Sequence, residues 1–166
     1  MSRWSAVIAL AALAGCGGDN PGGVQPSPTP TPGLPGVTVG QGTGNATIAL
    51  VTAAPAPGST LSGCGPDGAG CASRIRMSFR LTPTVAGTAL WCTGFLHASN
   101  NLACLQGRTG PLTLQAGVAQ TVEVLFDTAA PSGCRTPADI THLAFVVDGA
   151  GISARQEWGL RYTLAP

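Results

Sequence analysis

Lysine is absent from this chain of 166 residues; all eight basic residues are arginine. Charge of either sign is scarce, at 9% of residues, and the formal net charge is +1. No basic stripe exists to neutralise a run of phosphates, so nucleic acid is not an expected partner. There are only two histidines, His97 and His142, and no Cys-x-x-Cys pair. Metal ligands therefore do not cluster at the usual spacing, and no metal or cofactor is expected. Neither histidine accompanies a glycine-bracketed serine, and no two cysteines sit two residues apart at a helix start, so no catalytic residue is named. Asp67, Asp127 and Asp148 read as turn or strand-end residues rather than acids or metal ligands. A 3.6-residue apolar stripe is also missing over any ten residues, which argues against a helical bundle. The longest N-terminal apolar run, residues 6–13, is short of the about 20 residues that cross a bilayer as a helix.

That short run has another reading. Arg3 precedes it, and Leu13-Ala14-Gly15-Cys16 follows at its end. Together they form the charged region, apolar region and small-residue cleavage site of an export signal. The four-residue motif resembles the lipobox of bacterial lipoproteins. The resemblance implies that residues 1–15 are a signal peptide, that cleavage falls before Cys16, and that Cys16 carries the lipid. Two acyl chains suffice for stable anchoring, so the membrane is a partner through Cys16 alone. Gly17 is not the aspartate that holds such proteins in an inner membrane, which favours the outer membrane where one exists. The chain from Cys16 onward loses Arg3, leaving seven arginines against seven acidic residues and a net charge of zero.

Residues 16–44 read as the lipidated cysteine and a disordered tether. Proline alternates from Pro26 to Pro32 and glycine flanks the run, which removes donors and favours polyproline II. The 28 residues from 17 to 44 would span roughly 90 Å if fully extended. Residues 45–166 form the folded domain. Period-two alternation predicts strands at 47–52, 73–81, 88–97, 102–105, 111–115, 120–126, 142–147 and 155–164. Ile75, Met77, Phe79 and Leu81 share one face of the clearest strand. Trp158, Leu160, Tyr162 and Leu164 share one face of the last. Such spacing predicts an all-β, antiparallel β-sandwich of immunoglobulin-like pattern, with a jelly roll or small barrel as the alternative. The resemblance to immunoglobulin-like domains of surface lipoproteins lies in pattern only. Trp91 and Trp158 are expected in the core. Asn45-Ala46-Thr47 fits a glycosylation sequon, which a bacterial address makes idle.

Six cysteines are many for this length. With Cys16 assigned to lipid, an odd five remain in a compartment that permits disulfides. Gly65-Pro66-Asp67-Gly68 can reverse the chain between Cys64 and Cys71, so these pair. Cys104 follows the turn at residues 99–101 and Cys134 lies in a long loop, so these pair as well. Cys92–Cys104 across the hairpin is the alternative, but a turn near Asn100 would set Leu96 rather than Cys92 opposite Cys104. Cys92 is then the free thiol.

The chain thus reads as a cell-envelope lipoprotein presenting a non-enzymatic sandwich to an envelope protein or a glycan. A structural or accessory domain without specific ligand is the alternative, as is an enzyme whose site the sequence does not display.

Overall fold

Alternating apolar and polar side chains become strands wherever one face can be buried, as residues 75–83 show best. The computed structural model describes residues 33–166, within a unit spanning Pro32–Pro166. Cys16, the lipobox and the start of the tether lie outside the described residues. Along β4 (Ile75–Pro83), Ile75, Met77, Phe79 and Leu81 are fully buried, while Arg76 and Arg80 face solvent. The other strands are β1 (Thr38–Gly44), β2 (Ala46–Ala54), β3 (Thr60–Leu61), β5 (Gly87–Ala98), β6 (Ala103–Thr109), β7 (Leu112–Leu114), β8 (Gln120–Phe126), β9 (Thr128–Ala129), β10 (Ala138–Ala150) and β11 (Ile152–Leu164). Among the described residues there is no helix.

The strands form two packed sheets, a β-sandwich. The larger has the order β1-β11-β10-β5-β6-β9, with β3 also pairing β11 and β7 also pairing β5. The smaller has the order β2-β4-β8. All pairings are antiparallel except the short parallel contact of β3 with β11. The chain crosses between sheets at each step from β1 to β5, and again from β7 to β8 and from β8 to β9. Each sheet turns one apolar face inward, and the two faces meet in one core. Phe79 of the smaller sheet stacks on Phe145 of the larger, with ring centroids 3.9 Å apart, and Trp158 lies 5.7 Å from Phe79. Burying each such side chain contributes on the order of 1.5–3 kcal/mol. Phe126 fills the space over Gly94, and Val124 and Leu125 lie over Gly107, its direct partner across β5 and β6.

Three features depart from the sequence reading. Thr38–Gly44, assigned above to the tether, is a strand pairing with β11. All seven of its residues are exposed, so no apolar alternation marks it. Backbone pairing holds it instead, together with Gln156, whose side-chain amide donates to the carbonyls of Gly40 (3.0 Å) and Gln41 (3.2 Å). Asn45 closes this segment. Its side-chain amide donates to the Gly151 carbonyl, and its side-chain oxygen accepts from the Ser153 N–H, each at 2.9 Å. The second departure is length: β10 and β11 each run 13 residues, well past the apolar stretches that announce them. The third is Trp91, which is 49% exposed, whereas Trp158 is buried as expected. A bulge in β5 is the cause.

Candidate functional site

Four chain segments converge at one end of the sandwich, and each is there for a local reason. The residue 64–71 loop turns at Gly65-Pro66-Asp67-Gly68, where the Gly68 N–H donates to the Gly65 carbonyl at 2.9 Å and the Asp67 carboxylate accepts from the Ala69 N–H at 3.2 Å. Gly68 has φ +85°, a conformation that disfavours a side chain, and a Cβ there would stand 3.5 Å from the Cys134 sulfur. The β5–β6 turn is closed by the Asn101 N–H on the Ala98 carbonyl and by the Leu102 N–H on the Asn100 side-chain oxygen. Asn101 adopts φ 65°, which asparagine tolerates well. The loop before β10 folds back through the Gly133 N–H on the Ala130 carbonyl. The start of β10 supplies Asp139, whose carboxylate accepts from the Thr163 hydroxyl at 3.0 Å.

Cross-links fix these segments to one another. Cys64 is joined to Cys71 with Cα atoms 3.7 Å apart, and Cys104 to Cys134 with Cα atoms 4.7 Å apart. Leu105 stands opposite Leu96, and Thr109 opposite Cys92. Cys92 is therefore out of reach of Cys104; it is free and buried, and burial pushes its thiol up to about 11. Two further bonds tie the loop before β10 to the 64–71 loop. The Thr136 N–H donates to the Pro66 carbonyl at 3.1 Å, and the Thr136 hydroxyl donates to the Gly65 carbonyl at 2.6 Å. Paired cysteines also place the domain in an oxidising, extracytoplasmic compartment.

Between these segments lies an open groove of about 810 Å³. Pro66, Ala98, Leu102, Pro137 and Ala138 give it apolar walls; Asp67, Arg135 and Asp139 supply charge, and Ser99 and Asn100 supply hydrogen-bonding groups. A smaller recess of about 230 Å³ continues from it through Ser99 and Asp139 to Arg161 and Thr163. The volume falls within the range of small-ligand and peptide pockets. Leu102 is 41% exposed, a large apolar side chain held at the rim. No aromatic ring lines the main groove.

The outer face of the larger sheet carries the remaining polar cluster. His97 and His142 are cross-strand neighbours with ring centroids 5.7 Å apart. The His97 Nδ1 donates to the Asn101 carbonyl at 3.3 Å, while its Nε2 is buried without a partner. Burial holds the His97 pKa below the ordinary histidine value. His142 Nε2 lies 3.6 Å from Glu157, and Arg155 sends two N–H groups to the other Glu157 oxygen at 2.7 and 2.9 Å. That hydrogen bonding to Arg155 holds the Glu157 carboxyl below its usual range. Among the described residues no three His, Cys, Asp or Glu side chains group as metal ligands.

The sequence pointed to the pairings Cys64–Cys71 and Cys104–Cys134 that staple this end, yet it did not point to Leu102, Arg135 or Asp139. These are single residues of unremarkable type, separated by tens of positions, and only the sandwich end brings them together. No family model, no characterised protein and no solved structure matches the chain.

Proposed function

We propose that this chain is a lipid-anchored protein of the bacterial envelope whose sandwich is a non-enzymatic contact module for another envelope protein. Cys16 carries the lipid, the Pro/Gly-rich stretch spaces the domain from the membrane, and the end groove makes the contact. The observation behind the contact reading is how the groove is built. Two disulfides and the two Thr136 hydrogen bonds fix its walls before any ligand arrives, which lowers the entropic cost of binding. Its proline and leucine walls suit a peptide segment better than a sugar ring, for which an aromatic platform would be expected. The strand order supports an immunoglobulin-type reading of the fold. Counting β2, β4, β5, β6, β8, β10 and β11 as seven principal strands, the first, second and fifth share one sheet and the others share the second, with the fourth beside the third.

Two experiments test this. Globomycin should make the uncleaved precursor accumulate; unchanged processing would overturn the anchor. Immobilised residues 33–166 should retain an envelope protein that, once purified, binds the wild-type domain and fails to bind Leu102→Glu. A partner indifferent to Leu102→Glu and to Arg135→Ala, or no retained protein at all, would overturn the groove reading.

A further inference from the structure

The bulge in β5 turns two consecutive large apolar side chains to the same side. Trp91 pairs with Asp148 and Ala89 pairs with Gly149, so Leu90 is the extra residue. Ala89 and Cys92, on either side, are fully buried, while Leu90 and Trp91 are 56% and 49% exposed. In a regular strand, alternation would send one of the two into the core. A bulge that re-aims side chains in this way is a built feature of a sheet rather than a defect. Each is about half exposed, so each forgoes on the order of 1 kcal/mol of burial.

Charge is arranged around this pair. On the β6 side, the Arg108 guanidinium lies 5.1 Å from the centroid of the Trp91 ring. On the β10 side, Asp148 stands directly across from Trp91. Arg155 and Glu157, on the next strand of the face, pair with each other. The patch is therefore apolar at its centre with a cation on one flank and an anion on the other.

We propose that this face is the contact between two copies of this chain. A two-fold axis parallel to the strands lays β6 of one copy over β10 of the other. It sets Arg108 against Asp148 of the second copy, twice, and brings the Leu90–Trp91 pairs together at the axis. The patch is thus complementary to itself, as a two-fold contact requires. An axis across the strands would lay Arg108 on Arg108, so charge selects the first arrangement. The four strands β6, β5, β10 and β11, about 4.8 Å apart and about 25 Å long, give a footprint of roughly 500 Å² in projection. Side-chain relief raises the accessible area towards the about 800 Å² that each member of a standard complex buries. Tryptophan and arginine at the centre are the residue types that dominate such contacts.

The test is analytical ultracentrifugation of residues 17–166, with both disulfides formed, from about 1 μM to about 1 mM. A monomer–dimer equilibrium is expected. Leu90→Asp should weaken it about thirtyfold or more. Val118→Asp, at an exposed position in the β7–β8 turn away from the face, should leave it unchanged. Arg108→Asp and Asp148→Arg should each weaken the dimer, and the double variant should recover it. Circular dichroism of every variant separates loss of association from loss of fold. A monomer at every concentration, a dimer indifferent to Leu90→Asp, or single charge reversals that the double variant does not rescue would each overturn the proposal. So would a protein or glycan that occupies Trp91 on a chain that stays monomeric.

Discussion

Replacing Gly94 with alanine probes how the two sheets fit. Gly94 faces the core opposite Gly107 on β6 and Phe145 on β10. A Cβ on Gly94 would overlap the Phe126 ring, standing 2.6 Å from Cε1 and nearer still to Cζ. Phe126 is 1% exposed and has no free side to move to. Gly94 does not have a positive φ, so alanine there would otherwise stabilise by about 0.4–1 kcal/mol through the unfolded chain. Overpacking a filled core costs about 1–3 kcal/mol, which outweighs that gain. The expected net loss is about 1–2 kcal/mol. For the 135 residues of Pro32–Pro166, this lowers Tm by about 4–7 °C. Thermal unfolding followed by circular dichroism measures it. A double-mutant cycle then names the cause. In a Phe126→Leu background the ring is gone, so Gly94→Ala should cost little, with a coupling of about 1 kcal/mol or more. An unchanged Tm, or strictly additive costs in the cycle, would refute the claim that Phe126 requires a glycine beneath it.

Other expectations concern sulfur and protons. Loop-closure entropy assigns about 3.6 kcal/mol to Cys104–Cys134, which closes a separation of 30 residues, and about 2.4 kcal/mol to Cys64–Cys71, which closes 7. Paired Cys→Ala replacement should therefore cost more at 104/134 in denaturant titration, and the reverse order would contradict this account. The buried Cys92 thiol, with its raised pKa, should resist iodoacetamide at pH 8 until the domain is denatured, and then take up one equivalent by intact mass. His97 is held below its ordinary value of 6.5 by burial, so the unfolded chain binds the extra proton. Its contribution is present above pH 6.5 and lost as pH falls from there through the folded pKa. Tm should drop between pH 7 and pH 5.5, and His97→Gln should flatten that drop. The lowered Glu157 acts in the same direction, but only as pH falls below its ordinary value of 4.5.

The residues that announced themselves in the sequence were those whose role is local. The alternation of Ile75, Met77, Phe79 and Leu81 reports a buried face because side chains on a strand change sides at each residue. Val122, Val124 and Phe126 on β8, and Trp158 to Leu164 on β11, report theirs in the same way. Loop chemistry around Gly65-Pro66-Asp67-Gly68 brings Cys64 and Cys71 together without help from the rest of the fold. β1 left no such trace, because an exposed edge strand is held through backbone groups that every residue possesses. The Leu90 bulge left none either: it is a mismatch in count between β5 and β10, and neither strand records it alone.

The sequence by itself determined the all-β class, the inward faces of the strong strands and the motif around Cys16, since each depends on near neighbours in the chain. The tertiary structure alone decided that Leu102, Arg135 and Asp139 share a groove, that Leu90 and Trp91 share a face between Arg108 and Asp148, and that Gly94 must admit Phe126. Those facts depend on register between strands and on contact between sheets. Both are set by how one buried face packs against another, and the order of residues along any single strand does not contain them.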